Sequence, residues 1–348
     1  MPTANKDVSA ALTLTVTAVE ERGTVKLYTL QADRAVSCRA GQYISLRLHI
    51  GDWVTTRAYS LCSTPKEAEN GCLRIAVERV PGGLGSNYIQ DTWQVGMQVQ
   101  ASLPQGNFGY RPGQDPQHII ALAGGSGVTP FLSMAGAIAE DSEDFRLTIL
   151  YGNPTVEEAV FTPELLRLSE RCLKVQVVQV LSEEAVPGAE QGFFTADMIA
   201  KYAAGKPAAV LLCGPRPMYD AMAAVLPRLG FPPEYIRPEM YGETVDPCSL
   251  PDSLEAFPEH CLITFRKEDT EVTFPAEPGL SILRNLEKQG ILHPSLCRCG
   301  VCTSCMATLL SGRVYIPAVH DHRTEQEKRE SRIPLCSAWA LSHVVIEQ

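Results

Sequence analysis

The chain has 348 residues, 45% hydrophobic and 20% charged, with 30 basic and 40 acidic side chains and a net charge of −10. These are globular values that exclude wholesale disorder or a collagen-like repeat, and the length predicts two or three domains. An acidic chain without a long Lys/Arg run is poorly suited to nucleic acid or an anionic membrane surface, and no run of about 18 apolar residues is present to span a bilayer. The first residues, MPTANKDVSAALTLTVTAVEERG, lack the basic segment and long apolar core of a secretory signal, which predicts a cytoplasmic protein. Twelve cysteines in such a chain point to metal ligation or free buried thiols rather than disulfides.

Between residue 12 and about residue 110, short alternating apolar runs occur at Leu12–Val19, Val25–Leu30, Tyr43–Leu48, Leu73–Val80 and Val99–Leu103. Turn residues such as Glu21-Arg22-Gly23 and Pro81-Gly82-Gly83 divide them. This spacing predicts an antiparallel barrel or sandwich. From about Gln117 the runs become continuous and aliphatic: His118–Ala123, Leu147–Tyr151, Val175–Val180 and Ala208–Cys213. Each precedes a helical pattern, over Pro130–Ala139, Pro163–Arg171, Thr195–Ala203 and Pro217–Leu229. That alternation predicts a parallel sheet covered on both faces. Glu243–Pro258 holds three prolines and no apolar periodicity, and reads as a linker. Beyond it Cys261–Arg266 and Glu271–Phe274 read as strands and Ser281–Gln289 as a short helix, followed by a cysteine-dense loop. This is a third, small α+β unit.

In the first block, Arg57-Ala58-Tyr59-Ser60 follows a strand pattern and precedes a turn. An arginine fork binds phosphate, an aromatic ring can lie against an isoalloxazine, and a hydroxyl can hydrogen-bond flavin N5. Four residues alone also read as a solvent-facing strand pair. In Arg79-Val80-Pro81-Gly82-Gly83-Leu84-Gly85-Ser86-Asn87, glycine-rich backbone leads into a helical pattern at Ser86. That makes an anion nest or a plain hairpin turn. A third element is Leu103-Pro104-Gln105-Gly106-Asn107-Phe108. In this order the elements resemble the ferredoxin–NADP reductase superfamily. Its R-x-Y-S flavin motif is matched at Arg57, Tyr59 and Ser60, its diphosphate-contacting G-x-x-S at Gly83 and Ser86, and its P-x-G-x-F at Pro104, Gly106 and Phe108. The resemblance implies a six-stranded antiparallel flavin barrel.

In the second block, Ile119–Ala123 runs into Gly124-Gly125-Ser126-Gly127-Val128-Thr129-Pro130 and then a helical pattern. A strand, a glycine-rich turn and a helix start place amide donors and a positive helix end under a pyrophosphate. The sequence is not G-x-G-x-x-G; it matches the superfamily's G-G-[ST]-G-x-T-P. Tyr151-Gly152-Asn153 and Cys213-Gly214-Pro215-Arg216-Pro217-Met218 end later strands. The resemblance implies nucleotide contacts from Gly124, Gly125, Gly127, Thr129, Gly214 and Pro215, and places Cys213 beside nicotinamide C4. Alone, Cys213 reads as a small buried hydrophobe. Glu239-Met240-Tyr241-Gly242 resembles the acidic-x-aromatic element that closes the flavin site, with Glu239 and Tyr241 as its contacts; alone it is an ordinary strand. A 2′-phosphate needs Arg or Lys nearby, and related NADPH users carry arginines after Tyr-Gly-Asn and after the next Leu-Ser. Here those positions are Pro154 and Glu183, with Glu157, Glu158 and Glu184 close in sequence. The charge pattern therefore favours NADH over NADPH.

In the third block, Cys297, Cys302 and Cys305 fit C-x4-C-x2-C, and Cys336 follows 31 positions later. This is plant-type ligand spacing for a [2Fe–2S] cluster, and Gly300 lets backbone amides approach the sulfurs. The alternative is a structural four-cysteine zinc site, which usually shows two C-x2-C knuckles where this chain has one. Cys299 is a fifth cysteine, a spare thiol or an alternative ligand; the register is complete without it. The pattern C-R-x-G-x-C-x-x-C at Cys297, Arg298, Gly300, Cys302 and Cys305 resembles the plant-type ferredoxin family and implies its β-grasp fold. Cys299 departs from that family, which carries a small or polar residue there.

The block order resembles the reductase components of multicomponent oxygenases, of the phenylacetyl-CoA epoxidase and 3-ketosteroid 9α-hydroxylase types. The resemblance implies a flavin-binding β-barrel over 8–112, an NAD(P)-binding α/β domain over 113–243, a linker over 244–258 and a 2Fe–2S ferredoxin-type domain over 259–348. It implies hydride transfer from NADH to a flavin, along a path lined by Ser60 and Cys213, and single-electron delivery through the cluster to a terminal oxygenase, di-iron or Rieske. Similarity around Arg79–Asn87 favours FAD over FMN. The rivals are a redox-sensing flavo-iron–sulfur protein, a flavoprotein with a structural zinc tail and a non-enzymatic zinc-stapled module. The charged stretch Asp321–Arg332 reads as a solvated face rather than a docking surface.

Overall fold

Alternation in the first block becomes a sheet with one buried face. In the computed structural model, which describes residues 12–348 other than 52, 82, 241–256, 269, 296, 301 and 319–320 (of Trp53, the backbone only), β1 is Leu12–Arg22 and buries Leu12, Leu14 and Val16. It is followed by β2 (Val25–Ala32), β3 (Tyr43–Ile50), β4 (Trp53–Ser60), α1 (Pro65–Glu69), β5 (Cys72–Glu78), α2 (Leu84–Thr92) and β6 (Gln98–Ala101). The six strands form one sheet in the order β4-β3-β6-β1-β2-β5. The β1–β2, β1–β6 and β2–β5 pairings are antiparallel. An antiparallel bridge between Leu61, just after β4, and Ile75 on β5 joins its two edges, so the sheet closes as a barrel.

The continuous aliphatic runs become strands buried on both faces, as parallel sheets require. These are β7 (His118–Gly124), then α3 (Thr129–Ala139), β8 (Arg146–Asn153), α4 (Thr162–Arg171), β9 (Val175–Leu181), β10 (Glu190–Gln191), α5 (Ala196–Ala203), β11 (Ala209–Gly214), α6 (Arg216–Val225) and β12 (Ile236–Met240). The sheet order is β10-β9-β8-β7-β11-β12, with β7 pairing in parallel with β8 and β11. Phe131, Met134 and Ile138 of α3 are buried, as expected of a helix apolar all round.

Two local expectations are corrected. Arg57–Ser60 does not follow a strand; it is the end of β4. WVTTRAYS is too polar for its alternation to be visible, yet Val54, Thr55 and Thr56 favour extended backbone. The helix expected over Pro217–Leu229 stops at Val225 and continues as a 3₁₀ turn over Leu226–Leu229, because Pro227 lacks an N–H and disfavours helix in the residue before it.

The chain divides into two compact units, one of residues up to Leu46 and Ala58–Glu239, the other of Arg47–Arg57 and Met240–Gln348. In the first unit, Glu164 accepts from Arg74 at 2.9 Å and from Arg22 at 3.2 Å. Asp115, its side chain fully buried, accepts from Arg111 and at 2.6 and 2.7 Å from Arg237. These ties join the antiparallel and parallel sheets. Just past α3, Glu143 has a buried Oε2 with no hydrogen-bond partner. Burial pushes its carboxyl up to about 7, with Arg39 partly offsetting. A raised folded-state pKa means stability that is full below the unfolded value of about 4.3 and falls as pH rises through about 7. Glu143→Gln is therefore expected to be the more stable chain at pH ~8 by about 2 kcal/mol, discounted for partial exposure, and to match the parent at pH ~4. Urea titrations at the two pH values check this.

The second unit carries β13 (Leu262–Lys267), β14 (Thr270–Pro275), α7 (Ile282–Lys288), β15 (Met306–Ser311), β16 (Val314–Tyr315), α8 (Glu325–Arg329), β17 (Arg332–Pro334), β18 (Trp339–Ala340) and β19 (Val344–Glu347). Its main sheet runs β14-β13-β19-β15-β17, with β13 antiparallel to β14 and parallel to β19, and β16 pairs with β18. Ile282, Leu283 and Leu286 of α7 pack on Ile263, Phe265, Ala307 and Ile346, the helix-on-sheet layering of a β-grasp. Most of the expected linker, and Tyr241, lie outside the described residues. α8, within the charged stretch, is exposed apart from half-buried Glu327. Among the described residues no helix is long and apolar enough to cross a membrane.

Candidate functional site

Parallel pairing of β7 with β11 sets Ala123 opposite Cys213, so the two glycine-bearing turns that follow these strands meet. Gly124 ends β7, Gly125–Val128 forms a 3₁₀ turn and Thr129 opens α3. The turns interlock at backbone contact. A Cβ on Gly127 would lie 2.2 Å from the Cys213 carbonyl oxygen and 2.7 Å from the Gly214 nitrogen, and one on Gly124 would lie 2.7 Å from Pro215 Cδ. Gly125 has φ +53°, the left-handed region. Pro215 is the N-cap of α6.

Cys213 is fully buried; burial pushes its thiol well above its ordinary value and the charge of Glu239 adds to the shift. A short chain of hydrogen bonds runs from this turn. The Gly214 N–H donates to Tyr219 Oη at 2.9 Å, and the Tyr219 hydroxyl donates to the Glu239 carbonyl. The Glu239 carboxylate accepts from Ser60 Oγ at 3.5 Å. Ser60 and Cys213 are thereby linked through one tyrosine and one glutamate. Ser126 Oγ donates to Glu78 Oε2 at 2.6 Å, tying the glycine-rich turn to the end of β5. Further along, Gly83 is the N-cap of α2, whose first turn, with Ser86, has no side-chain cap, leaving amide donors free for an anion.

In the second unit the cysteines are gathered by a tight loop. Arg298 and Gly300 take φ of +59° and +84°, and Thr303 takes +59°. The N–H of Cys297 donates to Cys302 Sγ at 3.4 Å and that of Cys302 to Cys297 Sγ at 3.3 Å. Cys336, 31 positions past Cys305, returns because β15 pairs with β17, Met306 opposite Pro334. The Gly300 N–H donates to Cys336 Sγ at 3.2 Å, and neighbouring Cys305 with burial pushes the Cys336 thiol well up. Among the described residues no three His, Cys, Asp or Glu side chains converge on one ion position. The amides of Cys297, Cys302 and Gly300 are aimed at the sulfurs of Cys302, Cys297 and Cys336, which fits the hydrogen-bonded thiolates of an iron–sulfur core. Cys299 is buried against Cys297.

Three family models match the chain: an oxidoreductase FAD-binding domain over residues 11–110, an oxidoreductase NAD-binding domain over 121–224 and a 2Fe-2S iron-sulfur cluster binding domain over 265–340. The ferredoxin reductase component of 3-ketosteroid-9-alpha-monooxygenase from Mycobacterium tuberculosis is 30% identical over 307 residues, 86% of this chain and 81% of that one. The chain belongs to this family of flavin- and iron–sulfur-dependent oxygenase reductases. One of the subunits of 1,2-phenylacetyl-CoA epoxidase from Escherichia coli (strain K12) is 26% identical over 287 residues, 79% of each chain. Phthalate dioxygenase reductase, described as a modular structure for electron transfer from pyridine nucleotides to [2Fe-2S], superposes with a TM-score of 0.70 at 27% identity, over 97% of this chain and 98% of that one.

The reductase is thus an oxidoreductase with FAD-, NAD- and [2Fe–2S]-binding domains, and the zinc-stapled readings are set aside. Sequence reasoning found the glycine turns and the cysteines but missed Tyr219, Ser126 and Glu78. A tyrosine inside an amphipathic helix and a glutamate ending a strand carry no local signal; only the folded register shows what they touch.

Proposed function

We propose that this reductase takes hydride from NADH onto FAD and sends single electrons through the [2Fe–2S] cluster to a terminal oxygenase of the di-iron or Rieske type. The observation that carries the reading is the hydrogen-bond chain Ser60–Glu239–Tyr219–Gly214, which unites the end of the flavin-motif strand with the turn at Cys213. A bound flavin supplies the exchange between a two-electron hydride and single electrons. The chain's own residues bind and orient. The Arg57 guanidinium holds a flavin phosphate, Tyr59 lies against the ring, and the Ser60 hydroxyl hydrogen-bonds it. Gly83 and Ser86 offer amides to the diphosphate, and Glu239 closes the flavin site, with Tyr241, outside the described residues, as its proposed companion in the motif. Gly124, Gly125, Gly127, Thr129, Gly214 and Pro215 hold the nicotinamide nucleotide, with Cys213 against the reacting ring. Cys297, Cys302, Cys305 and Cys336 would hold the [2Fe–2S] cluster. The assigned division is 8–112, 113–243 and 259–348, joined by a linker over 244–258. Among the described residues the cysteines form no disulfide, which agrees with the proposed cytoplasmic location.

NADH is the proposed donor. The loops after β8 and β9 are tied together, Glu183 N–H to the Pro154 carbonyl at 2.9 Å and Val156 N–H to Glu184 Oε2 at 2.9 Å. Carboxylates at this edge repel a 2′-phosphate. Glu183→Arg is expected to shift the ratio of kcat/KM for NADPH over NADH upward by about tenfold, the equivalent of ~1.4 kcal/mol; steady-state kinetics with both nucleotides checks it. The test of the whole reading is an anaerobic titration of the purified protein with NADH and with NADPH, followed in the visible spectrum. Flavin and iron–sulfur absorbance that NADH bleaches is the expected result. A flavin spectrum with zinc and no iron would overturn electron delivery, and slow turnover with every acceptor would favour a redox sensor.

A further inference from the structure

In a buried polar network of the second unit only Arg57 has a role among the assignments above. Glu287 on α7 is 1% exposed and Arg298 in the cysteine loop is 5% exposed. Arg298 Nη1 and Nη2 donate to Glu287 Oε1 and Oε2 at 2.8 and 2.6 Å, a two-pronged ion pair. Glu287 Oε1 also accepts from Thr55 Oγ1 at 2.7 Å. Arg298 Nη1 reaches the Thr56 carbonyl at 3.3 Å and Ser295 Oγ at 3.2 Å. Arg57 Nη1 donates to the same Thr56 carbonyl at 2.9 Å and lies 3.9 Å from Glu287 Oε1. Every member belongs to the second unit.

The two ends of this network sit on different chemistry. Arg298 follows the ligand Cys297 directly and holds a left-handed backbone, φ +59°, that an arginine adopts only when its surroundings hold it there. Thr55, Thr56 and Arg57 lie on β4, which runs unbroken to Tyr59 and Ser60. A buried bidentate pair with a third hydrogen bond has one geometry, and its cost is met only while every arm is in place.

We propose that the Glu287–Arg298 pair, with Thr55 as its third arm, is a positioning device for electron transfer that locks the cysteine loop to the Thr55–Arg57 segment of the second unit. The inference rests on the function proposed above. None of Thr55, Glu287 or Arg298 touches the reacting ring, but Thr55 Oγ1 also accepts from Arg57 Nη1, so the variants are compared at equal flavin content, where hydride uptake per bound flavin is expected to be unchanged. Passage of electrons through the cluster does depend on them, because electron transfer slows as donor and acceptor are displaced.

The test uses the full-length, cofactor-loaded protein. In anaerobic stopped-flow with NADH, Thr55→Val and Glu287→Gln are expected to bleach the bound flavin at the parent rate and the cluster severalfold more slowly. Thr55→Ser, which keeps the hydroxyl, restores the second phase. Independently of activity, amide hydrogen exchange over residues 54–58 and 297–300 is expected to speed up in both variants at unchanged flavin and iron content. An unchanged cluster phase in Thr55→Val overturns the proposal. So does a Glu287→Gln variant that only loses iron while Thr55→Val behaves as the parent, since the pair would then merely support the loop. A parent protein without flavin and iron–sulfur spectra reducible by NADH overturns the functional reading itself, before any variant is compared.

Discussion

Replacing Cys336 by serine is expected to abolish the iron–sulfur spectrum and cut electron delivery to the terminal acceptor at least about 100-fold, while flavin content and NADH-driven reduction of a small flavin-level acceptor stay intact. A serine hydroxyl is a hard, protonated donor where iron–sulfur cores take thiolates, and changes that only reorient a ligand already cost about 10–100-fold. The geometry makes the effect local. Cys336 sits in a 3₁₀ turn after β17 and is held to Cys305 by the β15–β17 pairing and by the Leu335 N–H to Cys305 carbonyl bond at 3.1 Å. That scaffold survives loss of the sulfur. Cys299→Ser is the matched control and should keep its cluster, because Cys297, Cys302, Cys305 and Cys336 complete the plant-type ligand spacing without it. Iron and sulfide analysis with a visible spectrum of both variants decides the matter; a cluster lost from Cys299→Ser and kept in Cys336→Ser would reverse the ligand assignment.

The second large effect is expected at Gly127. An alanine Cβ there would stand 2.2 Å from the Cys213 carbonyl oxygen and 2.4 Å from its carbon, and backbone on the central strand β11 has no rotamer by which to step aside. Gly127→Ala should therefore cost about 2–4 kcal/mol of stability and raise the KM for NADH by about tenfold or more, with the flavin retained. Gly125 lies two residues earlier in the same 3₁₀ turn and behaves oppositely. Its constraint is φ +53°, with open space around the Cβ position, so Gly125→Asn, which tolerates left-handed backbone, should cost no more than about 1 kcal/mol. Thermal unfolding and NADH titration of the pair separate a steric requirement for glycine from a conformational one. A Gly127→Ala variant with the parent's melting temperature and NADH affinity would sink the interlock of the two turns.

Much of the architecture was legible in the residue pattern. Alternating runs marked the antiparallel sheet and continuous aliphatic runs the parallel one, because strand burial on one or two faces writes itself into nearest-neighbour hydrophobicity. The exceptions had local causes. WVTTRAYS hid β4 behind polar side chains, and Pro227 ended α6 four residues early. The later strands of the second unit, β15 to β19, are short and lie among the loop and charged residues, so their pattern was lost.

The candidate site divides along the same line. Glycines that admit close backbone approach and cysteines at ligand spacing are properties of a few adjacent residues, and the sequence alone determined which of them are present and in what order. The partners of those residues were decided only by the folded chain. Cys336 reaches Cys305 through a strand pairing, Ser60 reaches Glu239 across 179 positions, and Thr55 reaches Glu287 across 232. Such contacts depend on the register and layering of whole sheets, and no local pattern of side chains encodes them.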